Sequence, residues 1–155
     1  MNTQMDKDCY YMDMALDKAR EAYKIGEIPI GAIIVKDDEI ISSAYNMREI
    51  DKNALAHAEI LAIRDACKRL DSWRLTGCTM YVTIEPCPMC AGALVMSRID
   101  RLVYGSADYK AGAIESLFNI AQNQSLNHQI EVKAGVRALE CSDLMKDFFR
   151  EKRNK

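Results

Sequence analysis

The chain has 155 residues, a net charge of −2, 49% hydrophobic residues and 28% charged ones, the profile of one globular domain with a well-buried core. That balance excludes a general nucleic-acid coating protein, and no apolar run approaches the roughly 18 residues of a membrane span. Residues 1–8 are polar and acidic, so no secretory leader is expected, and the six cysteines (Cys9, Cys67, Cys78, Cys87, Cys90, Cys141) then fit a reducing cytoplasm, with Cys9, Cys67, Cys78 and Cys141 as plain thiols.

Residues 6–25 read as an amphipathic helix, with Tyr10, Met14, Ala15, Ala22 and Ile25 at helical spacing and Gly26 as its stop. Pro29 and Gly31 then open an apolar run over 30–35. The polar turn Lys36-Asp37-Asp38-Glu39 and a second run over 40–45 complete a β-hairpin. Asn46 lies at its exit, where an amide serves as a loop cap or as a ligand contact. Residues 49–55 form a loop. Residues 57–70 are a helix with Ile60, Leu61, Ile63, Ala66, Cys67 and Leu70 on the buried face, and Trp73 follows as a surface-packing anchor. Residues 79–84 alternate as a short strand that runs into a second helix, whose apolar part spans 89–96. Residues 101–104 are another strand, 105–112 a glycine-bounded loop, and 114–120 a short helix. Residues 122–129 are irregular, 130–133 a last strand, and 138–152 the final helix. Strands alternating with helices in this way imply one sheet covered on both faces, with ligands beyond the strand ends near helix N-termini.

Two stretches stand out from this frame: His57-Ala58-Glu59, and Pro86-Cys87-Pro88-Met89-Cys90. Cysteines three apart share one face of a helical turn. Prolines suit that turn because the N–H they lack has no partner there. The positive end of the helix dipole favours thiolate, the form that binds metal. His57 adds a nitrogen. One histidine and two cysteines leave tetrahedral zinc one ligand short, which is the mark of a catalytic rather than a structural site. In that open position a bound water becomes far more acidic. Glu59, two residues from His57, stands near the metal without having to bind it, as a general acid/base must. A lone C-x-x-C is weak evidence, and a structural zinc normally has four Cys/His ligands. His128 in the loop-like Asn127-His128 pair is the one candidate to complete such a set. It is the joint occurrence of all five motif positions, in order, that favours a catalytic zinc.

These residues resemble the cytidine deaminase-like superfamily, whose nucleobase deaminases carry H-x-E followed by P-C-x-x-C. Ile28-Pro29-Ile30-Gly31-Ala32, Asn46, the 105–113 loop with Asp108, Leu126-Asn127-His128 and the Phe148-Phe149-Arg150 ending are similar to the bacterial tRNA-specific adenosine deaminases, over almost the whole chain. The resemblance implies a three-layer α/β/α sandwich with a mixed five-stranded sheet, and a single deaminase domain over residues 1–155. It implies conversion of the wobble adenosine of an arginine tRNA to inosine, one zinc per subunit, a homodimer, and no membrane partner. By matching positions, His57, Cys87 and Cys90 bind zinc and Glu59 shuttles protons. Asn46 holds the flipped purine, Asp108 contacts ribose beside it, and Asn127, Phe149 and Arg150 lie along the anticodon loop. Lys146, Arg150, Lys152, Arg153 and Lys155 on the last helix would supply affinity for phosphate, unless they are only a solvated helix end. Asn53-Ala54-Leu55 and Asn46-Met47-Arg48 depart from the family pattern without touching the metal residues. The zinc motif alone leaves room for a guanine, cytosine or cytidine deaminase acting on a small molecule, and for a non-catalytic zinc-binding RNA module.

Overall fold

In the computed structural model, which describes residues 3–154, four helices cover the two faces of a five-stranded mixed sheet. The elements run α1 (Gln4–Lys24), β1 (Gly31–Lys36), β2 (Glu39–Tyr45), α2 (Ala58–Leu70), β3 (Cys78–Ile84), α3 (Pro88–Met96), β4 (Arg101–Ser106), β5 (Glu131–Ala134) and α4 (Ala138–Arg153). The strand order is β2-β1-β3-β4-β5. β1 is antiparallel to both β2 and β3, whereas β3, β4 and β5 run parallel. The expected three layers are therefore present. Among the described residues, no helix is long and apolar enough to cross a membrane.

Local chemistry explains the elements. Asp37 and Asp38 both take positive φ, 51° and 60°, which a two-residue hairpin turn needs to match strand twist and which aspartate tolerates. α1 starts where the Thr3 side chain accepts from Asp6 N at 3.0 Å and stops at Gly26 (φ +84°). Its buried stripe is Tyr11, Met12, Ala15, Leu16, Ala19 and Ala22. The periodicity placed the stripe slightly out of phase, since Tyr10 and Ile25 are exposed. The reason is close approach: a Cβ on Gly31 would fall on the Ala15 carbonyl oxygen and 2.5 Å from Ala19 N, so the small residues of α1 must face β1. α2 behaves likewise. Ala58, Ala62 and Ala66 are fully buried, with Leu61, Ile63, Cys67 and Leu70 packed half-buried around them.

Each central strand feeds both layers. Ala32, Ile34, Met80, Val82 and Leu102 pack under α2 and α3, while Ile33, Val35, Tyr81 and Val103 pack under α1. This double burial explains why β1 reads as a continuous apolar run. One buried charge crosses the α1 layer. Asp8 accepts from Tyr81 Oη at 2.8 Å and from both Arg101 Nη atoms at 2.7 and 2.8 Å. Among the described residues, no cysteine forms a disulfide, in line with plain thiols at Cys9, Cys67, Cys78 and Cys141.

Candidate functional site

β3 ends at Ile84, and the next three residues carry the chain to α3. Cys87 caps α3 in extended conformation, Pro88 is its first residue, and Ala91 N closes the first turn on Cys87 O at 2.8 Å. His57 caps α2 in the same manner, its carbonyl accepting from Leu61 N at 3.1 Å. Two helix N-termini thus converge on one face of the sheet. His57 Nδ1 lies 3.7 Å from Cys87 Sγ and 3.6 Å from Cys90 Sγ. Ligand lengths of about 2.3 Å to sulfur and 2.0–2.1 Å to nitrogen, at a tetrahedral angle, separate S from N by about 3.6 Å. Both S–N separations therefore match those around a tetrahedral zinc, and the three ligand atoms lie within 4.8 Å of one another.

The protons of the cluster obey the same geometry. The hydrogen bond from Cys90, aided by His57, pulls the Cys87 thiol down to about 4. Its bond to Cys87 and its burial push the Cys90 thiol far up, and the bond to Cys87 raises His57. Metal binds such ligands as thiolates and neutral imidazole, so loading the cluster would release protons. Glu59, in the first turn of α2, is 4% exposed. Burial raises its carboxyl to about 7, against the pull of its own backbone N–H and of His57. A carboxyl near the ambient pH is suited to both taking and giving a proton.

His128 is no fourth ligand. Its Nε2 lies 2.6 Å from the Ile99 carbonyl oxygen, so that nitrogen must donate. Among the described residues, the metal-ligating cluster is His57, Cys87 and Cys90 alone. Asn46 is 5% exposed, and its Nδ2 donates to Glu27 Oε1 at 3.3 Å. Glu27, fully buried, also accepts from Glu49 N at 3.2 Å and Ile50 N at 2.6 Å. It fixes the Asn46 amide and the loop leading to His57 together. The departures from the family pattern lie in this rim: Met47 N donates to Ala56 O at 3.0 Å, and Leu55 is exposed.

Residues 114–120 are not a helix: 114–116 form a turn, 117 is a bend and 118–120 are irregular. The Glu85 carboxylate captures the amides of Ile114, Glu115 and Ser116 at 3.1, 2.8 and 2.9 Å. Beyond them Leu117 N bonds Gly112 O at 3.0 Å and Ile120 N bonds Ala113 O at 3.1 Å, spacings of five and seven residues that an α-helix does not use. Sequence reasoning misses both Glu27 and Glu85. A signal exists: each is a single carboxylate next to β-type apolar residues, Glu27-Ile28 and Ile84-Glu85, where only a captured charge can be buried.

A cleft of about 1020 Å³ opens between α4 and the 106–110 loop; His57, Glu59, Cys87, Cys90 and Asn46 do not line it. Asp108, Phe149 and Arg150 line it, together with Lys110, Lys146, Lys152 and Arg153 over a floor of Ile28, Ile30, Ile84 and Met145. Ile84 is three residues from Cys87, so cleft and cluster share one stretch of chain. Phe149 is 40% exposed and stands edge-on to Phe148 at 5.4 Å. Arg150 pairs with Asp147 at 3.0 Å. Asn127 does not join this cleft. It is exposed in the turn segment before β5. Lys155 lies outside the described residues. Trp73 is exposed, flanked by the guanidinium carbons of Arg74 and Arg98, 4.4 and 5.8 Å from its ring centre.

The chain was also compared with known proteins. The MafB19-like deaminase family matches residues 5–153. A tRNA-specific adenosine deaminase of Bacillus subtilis (strain 168) is 49% identical over 151 residues, 97% of this chain and 94% of the relative. One from Aquifex aeolicus (strain VF5) is 46% identical, over 94% of this chain and 95% of its own. A solved structure from work on A-to-I editing by tRNA:A34 deaminases at the wobble position of transfer RNA superposes with a TM-score of 0.84. It is 40% identical and covers 87% of this chain and 98% of that one.

Proposed function

This chain belongs to the family of tRNA-specific adenosine deaminases, and we propose that it hydrolyses the 6-amino group of the wobble adenosine in a tRNA anticodon, giving inosine and ammonia. The observation that carries the reading is the three-atom cluster of His57, Cys87 and Cys90 with a buried, protonatable Glu59 beside it. Its donor set and spacing suit one zinc per chain, held by His57 Nδ1 and the two thiolates. Bound there, zinc supplies Lewis acidity, acidifying water and stabilising charge that develops on oxygen.

The protein's own part is proton traffic and placement. Glu59 takes a proton from the attacking water and delivers it to N1 of the purine as C6–O forms. It then carries the remaining hydroxyl proton to the exocyclic nitrogen, which leaves as ammonia when C6–N breaks. Asn46, its amide orientation fixed by Glu27, holds the base. Asp108 contacts the adjacent ribose. Phe149 offers a face for stacking, Arg150 a charge for phosphate, and Asn127 meets the RNA from its separate turn. The cleft's cations match a polyanion, although the chain's net charge is −2. An anticodon loop is already single-stranded, so extruding its base costs little. In this reading the chain acts as one deaminase domain, pairs as a homodimer, accepts an arginine tRNA and works in the cytoplasm.

The test is incubation of the zinc-loaded protein with an arginine-tRNA anticodon stem-loop, then sequencing. Adenosine-to-inosine change confined to the wobble position is expected. Ammonia released from free guanine or cytidine, with the stem-loop untouched, would instead mark a small-molecule deaminase.

A further inference from the structure

Asp108 reaches the cleft from a loop that has little else to hold it. Its own carboxylate Oδ1 accepts from Lys110 N at 3.0 Å and Ala111 N at 3.2 Å, and its carbonyl accepts from Gly112 N at 2.8 Å. All three bonds are internal to the loop. Among the described residues, the hydrogen bond that ties Asp108 to the rest of the protein runs from its N–H to Glu85 Oε1 at 3.0 Å. The same oxygen accepts from Ser116 Oγ at 2.5 Å. The other oxygen, Oε2, takes the amides of Ile114, Glu115 and Ser116. Glu85 is 3% exposed. Gly112 completes the cradle, because a Cβ there would overlap the Glu85 carboxyl group.

We infer that Glu85 is a positioning residue for the RNA-facing loop: its carboxylate, set two residues before Cys87, fixes Asp108 at the mouth of the cleft in register with the metal cluster. This rests on the functional reading above, in which Asp108 contacts the substrate. Its logic is geometric. The backbone of Glu85 is tied into the sheet through Glu85 N to Ser106 O at 2.9 Å, and Ala113 N bonds Pro86 O at 2.8 Å. One short segment therefore carries both the metal ligand and the clamp, and the two sites cannot drift apart independently. A carboxylate is required because every partner is a donor. A glutamine there must turn its –NH2 toward one set of donors. With its carbonyl oxygen kept on the three amides of 114–116, the –NH2 faces Asp108 N–H, donor against donor, and the loop is released at that residue alone.

The experiment has two arms on the zinc-loaded full chain. Backbone amide exchange of the wild type reads the clamp directly: Asp108, Ile114, Glu115 and Ser116 should be protected, while Tyr109 exchanges freely. Kinetics on the anticodon stem-loop then compare Glu85→Gln, Asp108→Ala and the double variant. Glu85→Gln should raise KM by about ten- to a hundredfold, the worth of one charge-assisted hydrogen bond. It should leave kcat within about twofold by that same logic and keep one zinc per chain. In the Asp108→Ala background it should add nothing, because both changes abolish the same interaction with substrate. An unprotected Asp108 amide overturns the proposal, as do additive effects or zinc loss with falling kcat. A wild type inactive on the stem-loop refutes the functional reading itself. Protected amides in that case would leave Glu85 as a structural anchor only, and the proposal would fall with the reading.

Discussion

A single carboxyl decides whether the cluster of His57, Cys87 and Cys90 is an enzyme or an ornament. Glu59 is buried, lies in the first turn of α2, and has its acidity shifted by burial to about 7. Replacing it with alanine removes the proposed proton carrier and leaves His57, Cys87 and Cys90 in place. Glu59→Ala should retain its zinc by elemental analysis and lose at least about 10²–10⁴-fold in kcat, the usual worth of general acid/base transfer. Normal turnover in that variant would refute the role. The cluster was legible in the sequence because its chemistry demands fixed residue types at fixed spacing. The supports were not. Glu27 and Glu85 act through hydrogen bonds to segments 19 to 31 residues away, and no local pattern encodes such a partner. His128 shows the converse: a histidine that could have been a ligand is claimed by the Ile99 carbonyl.

At the scale of elements, helix N-termini do most of the positioning. α2 and α3 each open on a proposed metal ligand, His57 and Cys87, in extended conformation, so both are held by backbone geometry and not by flexible loops. Their boundaries followed from Pro88 and from apolar periodicity. The segment at 114–120 did not, since its apolar residues suggest a helix while Leu117 N and Ile120 N bond Gly112 O and Ala113 O at non-helical spacing. α4 closes the cleft with Phe149, Arg150, Lys152 and Arg153. A chain ending at Phe149 should bind the anticodon stem-loop more weakly. Its log affinity should also depend less steeply on log salt, by about one unit for each phosphate that the missing cations neutralise. Titrations at several salt concentrations check this, and an unchanged slope would mean the helix end is merely solvated.

Across the whole molecule, two apolar layers on one sheet set the fold, and an ion pair lies within the α1 layer. Arg101 and Asp8 have side chains 14% and 2% exposed. Burial alone would raise the Asp8 carboxyl, but hydrogen bonds from Arg101, Tyr81 and Gln4 outweigh it and hold it below its usual 3.8. A depressed carboxylate contributes stability above its unfolded value, and that stability is lost as pH falls through the folded one. Glu85 is lowered in the same sense from 4.5, burial again being outweighed by its backbone and Ser116 donors. These two groups should therefore lower denaturant midpoints below about pH 4 as they take up protons, while Glu59, raised from 4.5 to about 7, acts in the opposite sense between those values. Arg101→Ala should cost about 3–5 kcal/mol at neutral pH by leaving the buried Asp8 charge alone. The deficit should shrink toward pH 4, where Asp8 can protonate; a deficit independent of pH would contradict the pairing. Composition foretold a core and the alternation of elements foretold its layers. The pairing of Asp8 with Arg101, 93 residues apart, was visible only in the folded chain.

Most direct of all is the coordination sphere of the zinc-loaded protein, observed crystallographically at the zinc absorption edge. Two sulfurs, one imidazole nitrogen and one solvent oxygen within bonding distance, with Glu59 beside that oxygen, is the predicted result. A fourth protein side chain on the metal, or no metal at all in a fully loaded preparation, would contradict the hydrolytic account.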